Sequence, residues 1–359
     1  ANATESNLEA ISNLYQENID LNSKSFISKP NNKSLLLSGG EGLVEETATS
    51  DFINGDSFSE TTSASFGSTF YVGSVENGAL GEATTFTYDF ALDLSTSFTG
   101  EDSLDVAIIG GNAGVTSVDA IMGGDNTGDH LDLDGVSYTF PLGSATVIVG
   151  DGVGPDDMNT GACAYSAFTD LLSDCGSNNV GGSGDSGFAI GYDFGNGFTL
   201  AGGAAGDGGA ATGLFTEEDA SSFGLEAAYT ADTYGFSVAY TDDEATTYWS
   251  LQAMVAPEGF PSISVGYEIG DIGGAASDVD EQESFFIGIS GDLGPGSAGI
   301  AAGHSNTVEG TDEAYQYEAY YSYPINDGMT VTPVVFVKDI DTAGTDDTTG
   351  VMVKTSFSF

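Results

Sequence analysis

Positive charge is almost absent from this sequence. Its 359 residues include no arginine and five lysines against 55 aspartates and glutamates, giving a formal net charge of −50. Nucleic acid is excluded as a partner, because binding would need Lys or Arg side chains to neutralise phosphates. Only two lysines, Lys338 and Lys354, lie in residues 56–359, so this part alone has a net charge of −45.

Long apolar runs and catalytic motifs are also missing. Without a stretch of 18 or more apolar residues, no helix is predicted to cross a membrane. Neither GxSxG nor HExxH occurs, and the two histidines, His130 and His304, stand apart, so we do not expect an enzyme. Such charge is typical of disorder, but hydrophobic residues make up 40% of the chain and recur with period two. High glycine and aromatic content favours a β-protein.

Cysteine occurs twice, at Cys163 and Cys175. No CxxC motif or nearby histidine suggests a metal or redox pair, so we predict a disulfide formed in an oxidising compartment. Both cysteines lie in residues 151–186, the longest stretch of the second half that does not read as strand. A short helix-like run separates them, with apolar residues at Tyr165, Phe168, Leu171 and Leu172.

The chain divides into two parts. Residues 1–55 have helical spacing from Glu5 to Glu17 and then become polar and irregular. Residues 56–359 read as sixteen strands joined by turns that are alternately short and long. The predicted strands are 59–73, 84–97, 102–111, 131–140, 144–151, 187–194, 197–205, 220–230, 234–242, 246–256, 260–271, 282–292, 297–306, 314–324, 329–339 and 347–359.

Most strands alternate between an apolar and a small or polar face. In residues 86–94, Phe86, Tyr88 and Phe90 share one face and Thr87 and Asp89 the other. An even number of strands, many of nine to eleven residues, with tight turns on one side and long loops on the other, is typical of outer-membrane barrels. The sequence therefore predicts an all-β, 16-stranded antiparallel transmembrane β-barrel in the cell outer membrane, with an inward-folded third loop.

Two further features favour a barrel over an antiparallel sheet half buried in a soluble core. The last strand alternates and ends on an outward aromatic, Phe359. Tyr315 and Tyr323 stand at opposite ends of one strand, which suggests an aromatic girdle at each membrane interface.

Several segments carry a family resemblance: residues 58–66 (FSETTSASF), 88–100 (YDFALDLSTSFTG), 135–143 (GVSYTFPLG) and 187–198 (GFAIGYDFGNGF). Over residues 56–359 the chain resembles the cyanobacterial outer-membrane porins, which are grouped with the carbohydrate-selective (OprB-like) porin family. The resemblance implies a homotrimer embedded in outer-membrane lipid that passes small solutes and inorganic ions.

The sequence departs from that family in two ways. Cyanobacterial members usually carry a surface-layer-homology domain and a coiled coil before the barrel. Residues 1–55 cannot hold both, so the resemblance gives no support for peptidoglycan contact by this segment. Carbohydrate-selective relatives line the pore with arginines, and this chain has none, so the carbohydrate transport of those relatives is not carried over.

Acidic residues are the candidate pore groups, and they would concentrate cations in a narrow lumen. The competing interpretation is that acidity is a general adaptation to salt. For a pore constriction formed by the third loop, the candidates are Asp156, Asp157, Asp170, Asp174 and Asp185. For the pore wall, strand alternation selects Asp89, Asp93, Asp105, Asp193, Glu226, Glu268, Glu318 and Lys354, although Lys354 also reads as a solvated wall lysine.

Cofactors are not expected. The acidic stretches 129–135 and 278–281 lack the spacing of a calcium loop, so loosely bound Ca²⁺ or Mg²⁺ between acidic loops is the alternative to a specific site. The sequence thus predicts a passive, cation-leaning porin. The alternative is a secreted or surface-layer acidic β-rich adhesin whose apolar faces pack against one another and whose loops bind divalent cations.

Overall fold

The structure, a computed structural model, describes residues 61–358 with gaps at 79–80, 115–123, 166–168, 170–171, 173–174, 183, 185, 209–212, 217–220, 245, 273–280 and 340–345. The predicted N-terminal helix and the division of the chain at residue 55 lie outside the described residues. None of the helices in the described part is long and apolar enough to cross a membrane.

Sixteen antiparallel strands form one closed barrel, in which each strand pairs with its sequence neighbours and β1 pairs with β16. The strands are β1 (Thr62–Glu76), β2 (Thr85–Thr96), β3 (Ser103–Asn112), β4 (Asn126–Leu142), β5 (Ala145–Asp151), β6 (Ser186–Asp193), β7 (Phe198–Gly206), β8 (Ser221–Ala231), β9 (Tyr234–Asp242), β10 (Thr246–Val255), β11 (Ser262–Ile272), β12 (Glu281–Leu293), β13 (Gly296–Val308), β14 (Gln316–Asn326), β15 (Met329–Lys338) and β16 (Thr348–Ser358).

The predicted fold class is confirmed, because all sixteen predicted strands overlap observed ones. The largest error is at β4, which begins at Asn126 rather than at residue 131. Residues 126–130 (NTGDH) have turn composition and read as loop. The pairing of β3 with β4 shifts register twice, between Ala107 and Ile108 and between Gly110 and Asn112. These irregularities allow β4 to continue pairing with β3 beyond the regularly paired residues.

The outer face of the barrel is apolar and exposed. In β8, Phe223 and Leu225 are 52% and 61% exposed, whereas Ser222 and Glu226, which flank this pair in the sequence, are buried. Large apolar side chains on the outside of a closed barrel are suited to lipid, because every backbone group is already paired within the sheet. The adhesin alternative required these faces to pack against one another, and they do not.

Tyrosines at both rims donate hydrogen bonds to nearby acceptors. On the long-loop side, the Tyr88 hydroxyl donates to Asp129 at 2.9 Å and the Tyr267 hydroxyl donates to Glu283 at 2.7 Å. On the short-turn side, the Tyr321 hydroxyl donates to the Leu293 carbonyl at 3.0 Å. A ring against lipid with its hydroxyl toward the polar rim is the usual arrangement at a membrane interface.

Asp102 organises the β2–β3 turn. Its Oδ1 accepts hydrogen bonds from the Phe98 N–H at 2.9 Å, the Thr99 N–H at 2.8 Å and the Ser97 hydroxyl at 2.9 Å, and its Oδ2 accepts one from the Tyr138 hydroxyl at 2.6 Å. Burial opposes ionisation of this carboxyl. The hydrogen bonds from Tyr138, Thr99 and Ser97 outweigh that effect and hold the pKa of Asp102 below its usual range.

We expect Asp102→Ala to lower the free energy of unfolding by roughly 1–3 kcal/mol, because the turn loses a charged acceptor shared by several donors. The native pKa of Asp102 is lowered, so its contribution is complete above about pH 4 and is lost as the pH falls further. Urea unfolding in detergent, followed by Trp249 fluorescence, should therefore give a larger difference in the free energy of unfolding between wild type and variant at pH 7 than at acid pH. Asp327→Ala, at an exposed acid of the β14–β15 turn, should stay close to wild type; equal losses would contradict the assignment.

Candidate pore and its inner loop

The described residues of the loop between β5 and β6, which spans 152–185, fold into the barrel. The wall side chains that the loop contacts alternate with the exposed apolar residues, so they face the lumen. Its outgoing arm crosses the inner surface from β7 to β14, with the Thr160 hydroxyl against that of Thr199 at 2.8 Å. Further contacts are Gly161 N to Glu226 at 2.9 Å, Ala162 N to Gln252 at 2.9 Å, Ala164 N to Ser264 at 2.8 Å and Thr169 N to Glu318 at 3.0 Å.

The return arm of this inner loop runs back from β13 to β9. Cys163 and Cys175 form a disulfide that joins the two arms, with 6.2 Å between their Cα atoms. The return contacts are Asn178 Nδ2 to Ser305 at 2.6 Å, Asn179 Nδ2 to Asn306 at 2.7 Å, Asn179 N to Glu268 at 3.0 Å and Thr241 Oγ1 to the Val180 carbonyl at 2.8 Å. The predicted inward-folded third loop is therefore observed.

Three of the predicted wall acids bind the inner loop rather than open lumen. Glu226, Glu268 and Glu318 are all buried, with 4%, 1% and 4% of their surface exposed. Glu318 accepts hydrogen bonds from the Tyr165 hydroxyl at 2.7 Å and from both the N–H and the hydroxyl of Thr169. Because a buried N–H needs an acceptor, these glutamates supply acceptors that the sheet, already fully paired, cannot offer.

Small residues on the lumen face let the loop approach the wall closely. A Cβ atom at Gly266 of β11 would lie 1.6 Å from the Cys175 carbonyl oxygen, and one at Gly203 of β7 would lie 2.8 Å from the Pro155 Cα. At Gly303 of β13 the nearest loop atom would be a Leu172 methyl at 2.7 Å. The small-residue face seen in the sequence is thus the surface on which the inner loop packs.

The loop acids contribute to local structure where they are described. Asp157 Oδ2 accepts a hydrogen bond from the Gly154 N–H at 2.7 Å. The Asp156 carboxylate lies against Gly154 and Gly181, on both arms of the loop, and both aspartates are half-buried. Asp170, Asp174 and Asp185 of the predicted constriction lie outside the described residues, as do Phe168 and Leu171 of the predicted helical run.

The remaining predicted wall residues divide by position. Asp89 and Asp93 of β2 and Asp105 of β3 lie on the lumen face of the wall that the inner loop leaves open, where Asp93 and Asp105 interact electrostatically. Lys354 of β16 lies opposite Tyr71 in the sheet and interacts with Asp89. Asp193 differs, because it is exposed and its Oδ1 accepts a bond from the Gly195 N–H at 2.7 Å in the β6–β7 turn.

Sequence reasoning missed three contributors to this open wall. Tyr71 is 5% exposed and donates its hydroxyl to Asp89 at 2.5 Å. Asp125 and Asp134 interact with one another and with the acids of β2. The alternation of Asp134 with the exposed Leu133 could have identified it, but Asp125 precedes a strand whose start was placed too late.

Comparisons with known proteins agree with this architecture. No protein-family model and no curated protein sequence matches the chain. Among solved structures, OprB of Pseudomonas putida at high pH superposes with a TM-score of 0.60 at 14% identity, covering 83% of this chain and 94% of that one. An anion-selective porin from Comamonas acidovorans gives 0.59 at 16%, covering 83% and 100%. A loop L8 deletion mutant of OmpT, an outer-membrane protein of Vibrio cholerae, gives 0.59 at 10%, covering 84% and 100%.

These likenesses establish the fold. The chain has the barrel fold of these outer-membrane proteins, and its apolar outer face agrees with the outer-membrane localisation predicted from the sequence.

We expect Gly266→Ala to displace the inner loop, because its Cβ would overlap the Cys175 backbone. Folded barrels should then show an altered single-channel conductance and a lower thermal unfolding midpoint. Gly206→Ala is the matched control, since its Cβ would first meet the flexible end of Leu214 at 3.3 Å. If the conductance of Gly266→Ala is unchanged, the contact between Gly266 and the inner loop does not determine the width of the pore.

Glu318→Ala should loosen the loop where Tyr165 and Thr169 are held, since three donors lose their acceptor. Open-channel current noise in planar bilayers should rise severalfold relative to wild type, an order-of-magnitude expectation for a loop that moves between states. Glu318→Gln keeps one carbonyl acceptor and should give an intermediate value. Equal noise in wild type and Glu318→Ala would rule out an anchoring role.

Proposed function

We propose that the chain is an outer-membrane porin through which small hydrophilic solutes and inorganic ions diffuse passively, with a preference for cations. One observation carries the proposal. The inner loop is hydrogen-bonded along β7–β14, whereas Asp93, Asp105 and Asp134 on the lumen face of β2–β4 are partly or fully exposed, so solutes would pass along this part of the wall. The charged side chains on that wall include Asp89, Asp93, Asp105 and Asp134, with Lys354 beside Asp89.

The mechanism is exclusion by size at the inner loop and by sign of charge along the open wall. Fixed carboxylates raise the local concentration of cations and lower that of anions within roughly a Debye length, about 8 Å at 0.15 M salt. Discrimination therefore depends on a narrow lumen, and the inner loop supports that requirement by filling part of it. No energy input is needed.

The barrel fold does not determine the sign of the selectivity. The neighbour from Comamonas acidovorans is described as anion-selective, although its barrel superposes on this one. The side chains on the wall must therefore decide which ion is preferred. In this chain they support cation preference, because arginine is absent and the sequence places only two lysines in the barrel region.

The expected homotrimer is also part of the proposal. An apolar outer face is compatible with both lipid and a second barrel, so the mass of the complex in detergent, measured by light scattering, would test it. Sugar selectivity is not proposed, because the chain has no arginine to bind sugar hydroxyls.

Single-channel recording across a salt gradient tests the proposed preference. Wild type should give stepwise conductance with a cation-selective reversal potential. The combined substitution Asp93→Asn, Asp105→Asn and Asp134→Asn should lower the ratio of potassium to chloride permeability severalfold, as expected when fixed charge is removed from a narrow pore.

Glu258→Gln serves as the control, since Glu258 is exposed in the β10–β11 turn. Its reversal potential should match wild type. An unchanged potential in the triple variant would assign the wall acids to general salt adaptation, and absence of steps from folded protein would overturn the channel itself.

A further inference from the structure

One buried hydroxyl on the lumen face of β2 forms no hydrogen bond within the part of the chain that the structure describes. Thr87 of β2 is 5% exposed, and its Oγ1 makes no hydrogen bond with any described residue. It lies on the lumen face two residues before Asp89, directly opposite Tyr71 of β1 in the sheet. Buried side-chain oxygens are usually bonded, so this oxygen calls for a ligand.

Two acidic residues, Asp89 and Asp125, lie near this threonine in the sheet. Gly111 of β3 pairs with Asp89, and a Cβ atom at Gly111 would lie 2.9 Å from the Asp89 Cα and 3.1 Å from the Asp125 carbonyl oxygen. The absent side chain thus lets the backbone of Asp125 approach that of Asp89. Burial and the carboxylates of Asp89 and Asp134 raise the pKa of Asp125, so Asp125 interacts electrostatically with both acids.

The positive charge near this group is smaller than the negative charge. Lys354 interacts with Asp89, and the Tyr71 hydroxyl donates to Asp89 Oδ2 at 2.5 Å. Asp125 and Asp134 add two further carboxylates. One lysine against three acids leaves an excess of negative charge on this part of the wall.

We propose that Asp89, Asp125 and the Thr87 hydroxyl form a binding site for a hard divalent cation of the calcium class on the wall of the lumen. The ligands are all oxygen, as such cations require. The threonine oxygen coordinates through a lone pair while its proton is free to donate to a carboxylate. Among described residues, no group of three or more His, Cys, Asp or Glu side chains could hold a metal ion, so water completes the shell and binding is weak and reversible.

The site rests on the proposed function in one respect: a cation bound there would lie on the ion path and reduce potassium current. We would therefore titrate CaCl₂ into potassium chloride during single-channel recording. Wild-type current should fall along a one-site curve with a midpoint in roughly the millimolar range. Thr87→Val removes only the hydroxyl and should raise the midpoint about threefold, and Asp125→Asn about tenfold.

Asp105→Asn is the matched control, because Asp105 is an acid of the same open wall and lies outside the proposed site. Its midpoint should stay within about twofold of wild type, because losing one wall carboxylate outside the site only weakens the general electrostatic attraction of calcium to the wall. If Thr87→Val titrates like wild type, or if Asp105→Asn shifts as much as Asp125→Asn, calcium only screens the wall and the site is overturned.

A second measurement does not depend on conduction. Calcium that binds the folded barrel should raise its thermal unfolding midpoint in detergent, by more in wild type than in Thr87→Val. Channels that conduct but show no such difference would overturn the site and leave the porin intact. A calcium-dependent difference in a protein that gives no channel steps would support the site and overturn the porin.

Discussion

Hydrogen-bond satisfaction of the backbone is the constraint on which this structure depends. In lipid an open sheet edge has no water to bond, so sixteen strands must close through the pairing of β1 with β16. Closure leaves the sheet with no free backbone acceptors for a loop inside it. The inner loop therefore depends on wall side chains, and buried Glu226, Glu268 and Glu318 provide the acceptors.

This requirement separates the lumen acids into two groups. Acids under the inner loop are buried and bonded to its N–H groups, so they fix its position. Acids on the open wall are different. Asp93 and Asp105 accept hydrogen bonds from the serine hydroxyls of Ser65 and Ser103, and their carboxylates remain available to the lumen. The formal charge of the chain is thus a poor guide to the field in the pore, because part of that charge holds the loop.

The sequence predicted the barrel well because its physical signals are local. Alternation, turn length and the pair Cys163 and Cys175 each depend on residues close in the chain. The division of acids could not be predicted, since it depends on which strands the loop crosses. Alternation placed Glu318 and Asp93 on the same lumen face. Only the contacts of the outgoing arm of the inner loop show that Glu318 holds the loop while Asp93 does not.

The same reasoning explains why Asp125 and Thr87 escaped sequence analysis. Asp125 precedes β4 in a stretch of turn composition, and Thr87 is a polar residue on a lumen face where polar residues are expected. The approach of Asp125 to the strand that carries Thr87 depends on Gly111, a residue that acts by lacking a side chain. Small lumen residues therefore have two consequences in this barrel. Beneath the loop they admit the loop backbone, and on β3 Gly111 admits the backbone of Asp125 beside Asp89. Charge density in the pore is set by where side chains are missing as well as by where acids occur.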